Sequence, residues 1–141
     1  MGERLSLTAN EIEQVRDSFD QVWAISSRTA ELFYIHLFAS AVFVRPLFGT
    51  DVEEQKRKFI STLANIVASL DSRADLDAAA ERLAQQHAEF GVHEEHHAII
   101  GEALFWSLEQ ELGARWTPGV AAAWRKAYRL LSERMIATAY G

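Results

Sequence analysis

Apolar residues recur at intervals of three and four along most of the chain, the spacing that gathers side chains on one side of a helix. Ala30, Phe33, Leu37, Phe38 and Ala41 form one such stripe, Phe59, Leu63, Ile66, Val67 and Leu70 a second, and Leu76, Ala80, Leu83 and Phe90 a third. No run alternates with period two, so strands are not expected. Local signals mark the helix ends. Thr8 and Glu11 have capping-box spacing and start a first helix that runs to about Trp23. Ser26 or Ser27 can cap the second. Pro46 interrupts the pattern, so VRPLFGT reads as a short helical turn and corner ending at Gly49. Asp51 with Glu54 opens a helix reaching about Leu70, and DSRAD, residues 71–75, reads as a polar connector. The next helix stops at Gly91, a long one runs from about His93 to Gly113, and Thr117–Pro118 is a cap and first-turn signal for the last. With no internal repeat and no linker, the pattern predicts one all-α domain over residues 1–141, about six or seven helices joined by short loops.

Three polar residues interrupt these apolar faces. His87 continues the stripe of Leu76, Ala80 and Leu83, Tyr34 lies within the second helix's stripe, and Gln55 heads that of Phe59 and Leu63. A buried imidazole needs a partner. Three polar groups on three apolar faces suggest one shared buried ligand, and a heme with an axial histidine meets that requirement. Each residue also has a plainer explanation. His87 by itself is better read as a core histidine bonded to backbone, Tyr34 as a core aromatic whose hydroxyl reaches water, and Gln55 as a surface residue near a helix start.

Composition narrows the chemistry. A chain of 141 residues suits one domain able to bury roughly two-thirds of its unfolded surface. The absence of cysteine excludes disulfides, Fe–S clusters, thiolate-ligated heme and covalent C-x-x-C-H attachment. Twenty acidic against 14 basic residues, a formal charge of −6, argue against nucleic acid as a partner. The opening MGERLSLT lacks the apolar core of a secretory signal, and no segment reaches membrane-spanning length. A cytoplasmic monomer or weak homo-oligomer is expected, with no membrane partner.

FYIHLF, VRPLF, QKRKF, QQHAEFGV, GEALFWSLEQELG and AAWRKAY, in this order from about Leu7 to Met135, resemble the single-domain bacterial globins related to flavohemoglobins. The resemblance implies a globin fold of six to seven helices around a heme pocket, with heme b between the helix of Gln55 and the helix of His87. It makes His87 the proximal iron ligand and Phe48 the phenylalanine packed on the heme face. Tyr34 and Gln55 become the distal pair, and Phe59, one turn beyond Gln55, lies over the ring. The Leu83 carbonyl, one turn before His87, is then the acceptor for the second ring nitrogen, since an iron-bound histidine is oriented through that N–H. Leu83 and Val92 are ring contacts in this picture, although similar residues fill any helical core. Lys58 and Arg57 can reach the propionates or stay as solvated surface charge.

Two departures from that family pattern matter. Flavohemoglobins pair the proximal histidine with a tyrosine and a glutamate, and the matching positions here hold His97 and Ala139. A weaker push from the proximal side favours reversible binding over activation of oxygen. The chain also ends with its last helix, so sustained NO dioxygenation would need a separate reductase.

HEEHH, from His93 to His97, fits the H-E-x-x-H zinc-protease pattern with Glu94 as base. It opens a helix directly after Gly91 and no third ligand follows, so adventitious zinc or nickel binding by His93 and His97 is the better expectation. The sequence therefore predicts a heme globin that reversibly binds O2, NO and CO as carrier, store or sensor. The alternatives are an NO dioxygenase served by an external reductase and a heme-free globin acting as a signalling or interaction module.

Overall fold

The computed structural model describes residues 7–23, 26–40, 52–89 and 96–140; side-chain placement is described for all of these except 26, 27, 40, 52, 55, 73, 86–89, 96 and 136–140. Among the described residues six α-helices follow one another: α1 (Ala9–Trp23), α2 (Ser26–Ser40), α3 (Val52–Ala68), α4 (Arg73–Glu89), α5 (His96–Leu112) and α6 (Pro118–Tyr140), with a 3-10 turn, Gly113–Arg115, between the last two. There is no strand among the described residues.

Side-chain caps set several of these boundaries. At the start of α1 the Thr8 amide donates to Glu11 Oε1 at 2.8 Å and the Glu11 amide donates back to Thr8 Oγ1 at 3.1 Å. These satisfy two backbone donors that a helix start otherwise leaves open. At α6 the Val120 amide donates to Thr117 Oγ1 at 3.2 Å, and Pro118 occupies the first turn, where its missing N–H costs nothing. Gly113 ends α5 with φ of +55°, a left-handed conformation that a side chain would strain.

The connector expected at DSRAD is shorter than its polar composition suggests. The Asp75 amide donates to Ser72 Oγ at 3.3 Å, and α4 already begins at Arg73, so the last three residues of that segment are helix. Ser72 with Asp75 is itself a capping pair. The corner at VRPLFGT, the Asp51 cap and the Gly91 stop lie outside the described residues, as do the side chains of Ser26 and Ser27.

Packing follows the apolar stripes. α2 lies against α5 and α3, while α4 and α1 lie against α6. Leu37 and Leu108 are fully buried at the centre, and Val15, Phe33, Leu63, Leu76, Ala80 and Trp124 surround them. Several buried polar groups are bonded: Trp124 Nε1 donates to Ser18 Oγ at 2.8 Å, and that hydroxyl donates to the Gln14 carbonyl at 2.7 Å. Arg16 of α1 holds the end of α3. Its guanidinium donates to the carbonyls of Val67 at 3.2 Å and Ala68 at 2.9 Å and pairs with Asp71 at 3.1 Å. These carbonyls belong to the last turn, which has no intrahelical donors.

One relation matters for the site. α3 and α4 are joined by a short turn, yet they touch each other little, because α3 packs on α2 and α4 packs on α6.

Candidate functional site

Tyr34 sits in the middle of α2 and is buried. Three aromatic rings surround it: Phe33 edge-on at 4.9 Å, Phe38 tilted at 5.7 Å and Phe59 of α3 edge-on at 6.0 Å between centroids. Burial pushes the Tyr34 phenol well above the usual tyrosine range, because a phenolate would lose its hydration there. The group therefore keeps its proton at physiological pH and can serve as a hydrogen-bond donor.

Phe59 is half-buried and lies parallel to Phe33 at 4.3 Å with 14° between the planes. Gln55 precedes it by one helical turn in the first part of α3, but its side chain is outside the described residues. Lys58 and Arg57 are exposed. Lys58 Nζ lies 3.6 Å from Glu54 on the same helix, and these three residues line a shallow depression of about 340 Å³ with Ser61 and Thr62. That ion pair gives Lys58 a solvated role on its own helix.

On the other side, α4 carries a buried or half-buried series, Leu76, Ala80, Leu83 and Ala84, leading to the turn that contains His87. The His87 side chain lies outside the described residues, and Phe48 and Val92 lie outside them entirely. His97, in the first turn of α5, is only 8% exposed. Its carbonyl accepts a hydrogen bond from the hydroxyl of the half-buried Tyr128 of α6. Burial raises the Tyr128 phenol as well.

The burial of His97 corrects the surface-chelation expectation for HEEHH, since one of its two donors is turned away from solvent. His93 and Glu94 are outside the described residues, and among the described residues no group of three His, Asp or Glu is placed to hold a metal. Phe33 and Tyr128 were not singled out from sequence. Phe33 looks like any core residue of its stripe, and nothing local to either residue signals its partner.

An all-α bundle with a buried phenol in an aromatic wall is the class of protein defined so far. The family model for Globin matches residues 32–135, and the chain belongs to the globin family. It is also similar to flavohemoproteins. The one from Vibrio cholerae is 25% identical over 133 residues, covering 92% of this chain and 34% of that protein. Those of Bordetella pertussis and Bacillus subtilis are 29% and 26% identical over 74% of this chain, and 27% of each is covered. The chain thus spans about a third or less of the length of these relatives.

Membership of the globin family implies a heme. The residues present fit one. Phe38, Phe59 and Leu83, from three helices, pack on the core yet stay half-exposed, so a flat apolar group would complete their burial. The sparse contact between α3 and α4 leaves the two helices free to flank such a group, and the chain offers a histidine on α4 and a phenol on α2 as polar partners. No described helix is long and apolar enough to cross a membrane.

Proposed function

We propose that the protein is a heme-binding globin that reversibly binds O2 and other diatomic gases, as carrier, store or sensor, with heme b between α3 and α4 and His87 as the iron ligand. The observation that carries this reading is the buried Tyr34 phenol set beside Phe59 of α3. When bound, the heme supplies a ferrous iron able to take a diatomic ligand. Tyr34 would donate a hydrogen bond to a gas ligand that carries negative charge, and Gln55 would offer a second donor from α3. The rings of Phe33, Phe38 and Phe59 around Tyr34 would keep the site apolar, which strengthens such a bond.

His87 would be oriented through its second ring nitrogen by the Leu83 carbonyl, and Phe48, Leu83 and Val92 would pack against the heme. Lys58 at the rim can exchange Glu54 for a propionate. By the family resemblance His97 and Ala139 take the positions of the tyrosine and glutamate that would raise the basicity of His87, and the missing push favours reversible binding.

The flavohemoprotein relatives favour a second reading, NO dioxygenation with electrons from a separate reductase. Catalytic NO loss that depends on an added reductase would support it over simple binding. The visible spectrum of the purified protein tests the main proposal. Wild type should show one b-type heme that shifts with CO, and His87→Ala should lose or greatly weaken heme binding. A His87→Ala spectrum and heme affinity equal to wild type would sink the assignment, and a heme-free wild type would favour a signalling or interaction module.

A further inference from the structure

Phe33, Tyr34 and Phe59 form a closed triangle of rings. Phe33 meets Tyr34 edge-on at 4.9 Å and 81°, stacks on Phe59 at 4.3 Å and 14°, and Tyr34 meets Phe59 at 6.0 Å and 68°. Two consecutive residues of α2 thus both contact one residue of α3. The three are not equally restrained. Phe33 is 3% exposed and Tyr34 5%, whereas Phe59 is half-buried. The most exposed ring of the three is therefore Phe59, on the candidate heme side, and the flat face of Phe33 is stacked against it.

We propose that Phe33 is a positioning residue that sets the size selectivity of the gas site: by stacking on Phe59 it holds that ring in place, so the site admits diatomic ligands and rejects bulkier ones. This rests on the reading above. Phe33 acts through Phe59. Replacing Phe33 with a smaller, non-planar side chain removes the stack and opens space behind Phe59, into which that ring can turn when a larger ligand enters.

The test uses reduced holoprotein and compares association rates of CO and n-butyl isocyanide for wild type, Phe33→Leu, Phe59→Leu and the double variant. The ratio of isocyanide to CO rate should rise about tenfold in each single variant, the scale of a small change in an apolar pocket. The double variant should gain no more than Phe59→Leu alone. Phe33→Met, which keeps volume without a ring, substitutes if Phe33→Leu fails to fold. Urea unfolding of the same proteins gives a readout without any gas, and the double variant should lose less stability than the sum of the singles. An unchanged ratio in a folded, heme-loaded Phe33 variant, fully additive effects on the ratio, or zero coupling in urea would overturn the proposal. A wild type without heme would instead defeat the functional reading on which it stands.

Discussion

Tyr34 of α2 and Phe59 of α3 meet edge to face, with ring centroids 6.0 Å apart and 68° between their planes. The contact joins a hydrogen-bond donor to an apolar ring across two helices, and the donor's hydroxyl is kept protonated by its surroundings. Its ring has only two torsions to order, and the neighbouring rings restrict both.

The hydroxyl of Tyr34 should set the lifetime of bound oxygen more than Gln55 does. A hydrogen bond to a charged or strongly polarised acceptor contributes about 1.5–3 kcal/mol. Tyr34→Phe should therefore speed O2 dissociation by roughly ten- to a hundredfold. Release of CO, which gains little negative charge, should change much less. Stopped-flow release from wild type, Tyr34→Phe and Gln55→Leu checks this, and equal O2 rates in wild type and Tyr34→Phe would mean the hydroxyl does not meet the ligand.

The ferrous, ligand-free heme should be five-coordinate. α3 contains no histidine, and the one on α2, His36, is stacked on Trp106 of α5 at 4.6 Å and 16°. An amide such as Gln55 is a poor iron ligand. A low-spin, bis-histidine ferrous spectrum at neutral pH would contradict the distal arrangement.

Stability should fall on the alkaline side through two tyrosines. Burial raises the Tyr34 and Tyr128 phenols in the folded protein above the usual value of about 10. Above that pH the unfolded chain gives up protons that the folded chain keeps, so stability is fully present below about 10 and declines as pH rises further. Unfolding midpoints measured from neutral pH upward should fall less steeply in Tyr34→Phe than in wild type.

Replacing Gly101 should be costly. A Cβ there would sit 2.6 Å from Cε1 of Tyr128, a ring held in place by its bond to the His97 carbonyl. Gly101→Ala should destabilise the protein by about 1–3 kcal/mol, as overpacking does. Thermal unfolding of Gly101→Ala beside Gly101→Ala/Tyr128→Leu should show the loss reduced in the second, where the space is freed.

A salt bridge with a capped carboxylate should matter on the acid side. The Thr8 amide first, and Lys126 at 3.0 Å next, hold the Glu11 carboxyl below the usual glutamate range. Its contribution is present above the unfolded value and is lost as pH falls through the lower folded one. Glu11→Gln should therefore narrow its stability deficit relative to wild type as pH is lowered through that window, a trend that urea titrations at several pH values would reveal.

The helices were legible because their causes are local. Stripes of period 3.6, the Thr8–Glu11 box and Thr117–Pro118 act within one or two turns, and α1 and α6 start where those signals stand. The start of α4 was local too, in Ser72 and Asp75, but polar composition obscured the cap spacing. Tyr34 stood out for the same reason, as a polar group within an apolar stripe. What the stripes leave open is which faces meet. Phe33 finds Phe59, Arg16 reaches the end of α3, and Tyr128 bonds to the carbonyl of His97, all across separate helices. A single apolar stripe is compatible with many partners, and only the mutual packing of the helices selects among them.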